Sequence, residues 1–330
     1  GNNKMKMNKV GKSDLSISEI SLGCWTLGGL NWVDGSPNGW ANVNEPEVAE
    51  AINYAIDNGV THFDNADVYG NGRAERMLSK ILGSRTKDVT IATKIGWFKG
   101  TAAHAYEPTH IRHQCEQSLI NLKRDYIDLY YFHHGDFGTD DVYLDDAVAM
   151  MYKLKEEGKI RVIGLSSYSH ERFTTLAPKI KPDTLQSSAS ALDDKYLAKG
   201  TPTSDLLNET GISFVAFGPV AQGLLLGKYS KDNPPKFEPG DHRAGAPRFS
   251  VEFLTKLEPK IEALKKHFGP TGEDLARVAL QYLLKYDRVA AVIPGFRNLA
   301  QVKMNLSAAD KPLTNDEFSF VQSIFSNKGE

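Results

Sequence analysis

Short apolar runs alternate with stretches of helical periodicity along almost the whole chain. The runs at 20–22, 60–63, 89–93, Ile127–Phe132, 160–165, 184–186, Ser213–Phe217 and 290–293 have strand length and composition, and each is predicted to be a strand. Helical signals fill the gaps between them. Asn44, with Glu47 three residues on, caps a helix that carries Val48, Ala51, Ile52, Ala55 and Ile56 on one face and stops at Gly59. Further helices are predicted over about 73–82, closed by Gly83, and from a cap at Thr109, with Ile111, Cys115, Leu119 and Leu122 inward. Another starts at about Leu144, burying Ala147, Met150, Met151 and Leu154 before Gly158. Residues 9–19 read as a hairpin around Gly-Lys-Ser-Asp. Strand–helix alternation argues for a parallel sheet, and eight such units predict closure into a (β/α)8 TIM barrel, one domain over 1–330. One connection is too long for that rhythm. Between Phe217 and the last strand lie QGLLLGKYSKDNPPKFEPGDHRAGAPRF and two helices, and a loop of that length is expected to act as a lid or clamp.

Composition narrows the function classes. The 330 residues carry 39 Lys+Arg against 41 Asp+Glu, a formal net charge of -2, which gives no electrostatic case for nucleic acid or an anionic membrane as partner. No apolar run approaches the roughly 20 residues of a membrane helix. The opening GNNKMKMNKV has no apolar core, so it does not read as a secretory signal. Cys24 and Cys115 make neither a disulfide framework nor a metal cluster, and a cytoplasmic protein is expected.

The candidate chemistry sits where predicted strands end. Asp64 closes one, Lys94 follows the next, His133 follows a third, and Tyr69 lies just beyond Asp64. The carboxyl ends of different strands are where a barrel builds its active site. Burying Lys94 or Asp64 alone is costly, so the two are expected to pair. A tyrosine with a reference pKa of about 10 is a poor acid near neutrality, and the ammonium of Lys94 is expected to lower that of Tyr69. A neutral His133 would donate to a carbonyl oxygen as charge develops there. A lone Tyr-Gly is more often a turn and a lone strand-end histidine a satisfied core residue; the joint pattern is the argument. His133, His134 and Asp136 offer a metal-site alternative, which strand alternation disfavours because neighbouring residues face opposite sides. Trp25, Trp97 and Phe98, just past strand ends, are predicted to wall a substrate pocket rather than fill the core.

The ordered segments GKSDLSISEISLGCWTLGG, FDNADVYG, IATK, YIDLYYFHH, GKIRVIGLSS, GPVAQGLLLGKY and VIPGFRNLAQVKMNL resemble the aldo-keto reductase superfamily over nearly the whole chain. The resemblance implies a barrel oxidoreductase with a catalytic tetrad of Asp64, Tyr69, Lys94 and His133, in which Tyr69 is the acid-base. It implies a nicotinamide cofactor, NADPH in preference to NADH. Ser166 and Gln186 match the residues that hold its carboxamide, Ser167 stands where asparagine is usual, and Phe217 replaces the tyrosine under the nicotinamide. Gly218, Gln222, Gly223, Leu224 and Lys228 match the pyrophosphate loop, and Trp25 joins the cofactor contacts. Gly295, Arg297 and Asn305 match the adenosine end, where Gln301 and Met304 replace an arginine and a glutamate of some branches. The partner implied is a small aldehyde, ketone or sugar of unspecified identity, with no nucleic acid and no membrane. A cofactor-binding regulatory subunit with little turnover is the alternative, since some relatives of this fold serve channels.

Overall fold

The computed structural model describes residues 5–33 and 36–326. β1 (Met7–Lys9) and β2 (Ser16–Ser18) form the expected antiparallel hairpin, with Met7 opposite Ser18. β3 (Leu22–Gly23) opens the barrel. β4 (Leu30–Val33) and β5 (Ser36–Gly39) then pair as a second hairpin that the apolar pattern did not predict. The barrel continues with β6 (His62–Asp64), β7 (Thr90–Ile95), β8 (Ile127–Phe132), β9 (Ile160–Ser166), β10 (Thr184–Ser188), β11 (Ser213–Phe217) and β12 (Val289–Ile293). All eight predicted strands are present, within a few residues of their expected limits.

These eight strands lie side by side in chain order, all parallel, from β3 through β6 to β12. The sheet closes where β12 meets the first strand. Ser21 N donates to Val292 O at 2.9 Å, Val292 N to Glu19 O at 2.9 Å, and Gly23 N to Pro294 O at 3.1 Å. A closed parallel sheet has no unpaired edge and needs helices on its outer face.

The helices supply that layer: α1 (Glu45–Asp57), α2 (Arg73–Leu82), α3 (Pro108–Leu122), α4 (Leu144–Glu156), α5 (His170–Ile180), α6 (Pro202–Thr210), α7 (Val251–Phe268), α8 (Gly272–Leu284), α9 (Leu299–Leu306) and α10 (Asn315–Ile324). Asn44 caps α1 by accepting from Glu47 N, as its spacing predicts. The start of α3 corrects the expected cap at Thr109. Pro108 takes the first helical position and Glu107 precedes it, because proline's fixed φ suits that position and its missing N–H leaves nothing unsatisfied there. None of the helices is long and apolar enough to cross a membrane, among the described residues.

Strand alternation sorts the side chains into two cores. Phe63, Ile91, Tyr130, Phe132, Leu165 and Phe214 face outward to the helices. Ala92, Leu129, Tyr131, Val162, Val215 and Ile293 fill the barrel, and Val10, Leu15 and Ile17 of the first hairpin pack with them and seal its amino-terminal end. Asn8 Nδ2 ties that hairpin to Ala290 O at 2.9 Å.

His62 shares the inner face of β6 with Asp64, and its Nδ1 lies 2.7 Å from Thr90 Oγ1. Burial, partly opposed by Asp64, pushes its imidazole down to about 4. A group whose pKa falls on folding stabilises the fold above its unfolded value of 6.5 and loses that contribution as the pH falls through 4. The loss is on the order of 3 kcal/mol. We therefore expect the unfolding free energy of His62→Gln to gain about that much relative to the parent between pH 7 and pH 4, as measured by urea denaturation. A constant difference across the range would show that His62 does not titrate this way.

Candidate active site

The predicted tetrad, Ser166 and Phe217 lie at or just past the carboxyl ends of strands. Asp64 ends β6, Lys94 is the penultimate residue of β7, His133 follows β8, Ser166 ends β9 and Phe217 ends β11. Tyr69 begins a short 3-10 turn, Tyr69–Gly72, after β6. That turn is pressed backbone to backbone against the turn carrying Trp25. A Cβ on Gly70, which sits at φ +62, would lie 2.3 Å from Gly28 O. One on Gly28 would lie 2.7 Å from Gly70 N. Only glycine permits this approach, which sets the Trp25 and Tyr69 rings 6.3 Å apart.

Lys94 and Asp64 pair as expected. The Lys94 side chain is fully buried, and its Nζ donates to Asp64 Oδ1, to Asn65 O at 2.7 Å and to Tyr69 Oη at 3.3 Å. The second Asp64 oxygen accepts from Gln186 Nε2 at 2.9 Å, so the structure engages Gln186 with the acid. Burial alone would lower the Lys94 pKa; Asp64 and Tyr69 more than offset it and hold the ammonium charged.

The expected lowering of the Tyr69 pKa is corrected. Burial pushes the phenol up to about 12 against the opposing charge of Lys94, and Asp64 adds to the rise. Tyr69 is therefore protonated across the neutral range. His133 is neutral: burial, then the charges of Lys94 and His134, hold it well below the ordinary imidazole value. Its ring lies 6.0 Å from Tyr69 and 6.2 Å from Trp97. His134 faces away, with Nε2 2.8 Å from Gly96 O and Nδ1 accepting from Asp136 N at 3.0 Å. Trp97 borders the mouth, whereas Phe98 turns to His110, its carbonyl 2.7 Å from that imidazole.

Beneath Lys94 lies a residue that the motif reading passed over. Tyr131 is fully buried in the barrel, and Lys94 Nζ stands 5.7 Å over its ring. The ring occupies space left by Gly164 on the neighbouring strand, where a Cβ would come within 2.5 Å of it. Alternation from His133 back through Tyr131 was the available signal, together with a glycine in mid-strand.

A second group of residues lies along the far rim. Arg297 Nε and Nη2 and Asn305 Oδ1 are buried without a hydrogen-bond partner. Gln301 Oε1 accepts from Arg297 N at 2.6 Å, which props the arginine backbone. Arg297 lies 5.2 Å over the Trp40 ring and Arg243 lies 4.0 Å over it, the latter held by Asp241 at 2.9 and 3.0 Å. Burial, then Arg243, lowers the Arg297 pKa. His242 packs 4.3 Å from both Trp25 and Trp40, and its Nε2 lies 2.8 Å from Gln222 Nε2. The long connection after β11 thus crosses the rim and is pinned there, as a clamp would be. His242 and Arg243 had no sequence signal beyond the length of that loop, and Trp40, just after β5, had none.

Within the loop, Gly218 and Gly223 take left-handed conformations. Leu224 is buried in the core, while Lys228 is exposed. Ser166 and Ser167 are buried, Gly295 is exposed, and Phe217 is half-buried with Tyr168 edge-on to it at 6.0 Å.

Among known proteins, the model of the Aldo/keto reductase family matches residues 19–325. The uncharacterized oxidoreductase YqkF of Bacillus subtilis (strain 168) is 32% identical over 326 residues, 97% of this chain and 96% of the relative. The holo form of aldo-keto reductase AKR11C1 from Bacillus halodurans superposes with a TM-score of 0.77 at 30% identity, covering 97% of this chain and 96% of that one. A probable voltage-gated potassium channel subunit beta of Arabidopsis thaliana is 28% identical over 327 residues, 93% of this chain and 92% of the relative.

The Tyr131–Gly164 fit generates a prediction. Gly164→Ala places a methyl against the ring, and overpacking of this kind costs about 1–3 kcal/mol. Tyr131→Leu removes the obstacle, so the double variant should be more stable than the sum of the single losses by at least about 1 kcal/mol. Urea unfolding of the four proteins measures this, and strict additivity would contradict the fit.

Proposed function

This chain belongs to the aldo/keto reductase family, and from that premise we propose that it is a single-domain reductase that converts an aldehyde or ketone to an alcohol. The observation that carries this reading is the Tyr69 hydroxyl, 3.3 Å from a Lys94 ammonium locked to Asp64 and beside a neutral His133. His133 donates a hydrogen bond to the carbonyl oxygen and orients it. Tyr69 gives its proton to that oxygen as negative charge develops, and Lys94 stabilises the phenolate left behind. The phenolate then recovers a proton from solvent. Trp25 and Trp97 flank the reacting carbon and limit water.

A reduced nicotinamide dinucleotide, when bound, supplies the hydride. The far rim suits such a molecule, because the orphaned Arg297 nitrogens and the Asn305 oxygen lack partners that a phosphate and an adenine would provide. Arg243 lies beside Arg297 with its charge shared with Asp241, at the end where Gln301 replaces the arginine of some relatives, so Arg297 is the cation offered to the phosphate. We therefore assign NADPH as the preferred cofactor. Ser166, Ser167 and the free oxygen of Gln186 would meet the carboxamide, Phe217 the ring, and the backbone of 218–228 the pyrophosphate. The two cysteines are buried and free, which suits a reducing cytoplasm. The likeness to a channel subunit keeps a second reading open to test, in which the cofactor binds and turnover is slight.

Two outcomes are expected. Tyr69→Phe should lower NADPH-dependent carbonyl reduction by at least about 10²–10⁴-fold while leaving NADPH affinity near that of the parent. Parent-like turnover in that variant excludes Tyr69 as the acid, and an unmutated protein that binds NADPH yet reduces no carbonyl in a broad panel favours the subunit reading. Arg297→Ala should weaken NADPH binding by roughly 10- to 150-fold, the value of a charge-assisted contact, and barely move NADH. Cofactor fluorescence titration reads this. Equal affinity of the parent for both cofactors would remove the assigned preference.

A further inference from the structure

We infer that Tyr106 and His134 are positioning residues for His133, and that together they set the direction in which its imidazole meets a substrate carbonyl. The inference rests on the reductase reading and extends it. A histidine that must present one ring nitrogen is ordinarily oriented by a hydrogen bond to the other. His133 lacks that aid: its Nδ1 is buried and has no hydrogen-bond partner among the described residues. The ring turns about two side-chain bonds, so its aim depends on how firmly the backbone at 133 and the groups packed on it are held.

That backbone is held on both sides. His133 N donates to Ile95 O at 2.8 Å, which extends the β7–β8 pairing by one bond. Past that bond one phenol takes over. Tyr106 Oη accepts from His134 N at 3.1 Å and donates to His134 O at 2.7 Å, so a single hydroxyl serves both backbone groups of residue 134. Tyr106 is itself fully buried, stacked 4.4 Å from Phe137 and edge-on to Phe132 at 5.2 Å, which makes it a rigid post. The His134 side chain makes a second tie. Its Nδ1 accepts from Asp136 N at 3.0 Å, which puts the ring proton on Nε2, and Nε2 donates to Gly96 O at 2.8 Å. Gly96 precedes Trp97, so this bond joins the Trp97 loop to the segment that carries His133. A Cβ on Gly96 would lie 2.8 Å from Tyr106 Oη and 3.2 Å from the Cβ of His133, so the two strand ends meet without room to spare. Trp97 completes the packing, its ring 4.6 Å from His134 and 6.2 Å from His133. A misplacement of about 1 Å in a reacting group costs about 10²-fold in rate. A hydroxyl and a ring nitrogen that only hold His133 can therefore govern turnover.

The test compares Tyr106→Phe, His134→Phe and His134→Gln with the parent, using NADPH and the aldehyde of a broad panel that the parent reduces fastest. Turnover is expressed per NADPH-binding molecule, which removes any unfolded fraction. Tyr106→Phe keeps the stacked ring and loses only the hydroxyl. It should lower kcat by about 10- to 100-fold, with KM and NADPH affinity near those of the parent. His134→Phe should lose as much. His134→Gln, whose amide N–H can reach Gly96 O, should retain most of the parent kcat. Parent-like kcat in all three, or equal losses in the two His134 variants, overturns the inference. Should Tyr106→Phe fail to fold, the His134 pair decides alone. A crystal structure of His134→Phe with NADPH gives a readout independent of turnover: the His133 ring should be displaced by about 1 Å or split between two orientations. If the parent reduces no aldehyde in the panel, the reductase reading fails and that ring decides the inference. Displaced, it upholds the positioning role; in its parent place, it overturns it.

Discussion

The site is built around one dry ammonium. Lys94 has three N–H donors, and the structure gives each an acceptor: a carboxylate, a backbone carbonyl and a phenol. A charge this deeply buried is tolerable only with a full set of partners, so the positions of Asp64, Asn65 and Tyr69 follow from its presence. Asp64 is fixed in turn by Gln186, four strands away around the barrel. Burial is the main reason that Tyr69 is not an easily ionised phenol, and the Asp64 carboxylate adds to it against the opposing charge of Lys94.

Barrel closure separates structural from chemical tasks. The first hairpin occupies the amino-terminal opening with Val10, Leu15 and Ile17, so polar side chains are concentrated at the opposite end. At that end a further separation appears. Cationic groups gather over Trp40 on one rim, and uncharged rings gather about His133 on the other. An elongated ligand with an anionic and a neutral end would therefore meet an oriented field before it touches any reacting atom.

Much of this was legible in the chain because strand ends and helix caps are local signals. The eight strands, the first helix cap at Asn44 and the closeness of Asp64 to Lys94 all follow from patterns a few residues long. What escaped the sequence is contact between distant loops. His242 lies 3.2 Å from the carbonyl of Gly39 across 203 positions, and nothing local at either residue announces the other. Trp40 and Arg243 belong to the same contact. Tyr168 and Phe217, edge-on to each other past the ends of two strands, are likewise paired by no local pattern. The Tyr69 expectation erred differently: it counted the nearest charge and omitted both burial and the acid that neutralises that charge.

The close fit of Tyr131 against Gly164 also bears on which changes the barrel tolerates. The two residues sit on adjacent strands in direct register, 33 positions apart by their numbers. A side chain added at 164 presses on the ring while the tyrosine stands and meets no such obstacle once the ring is gone. The two positions are therefore coupled, and the cost of a change at either depends on which residue stands at the other.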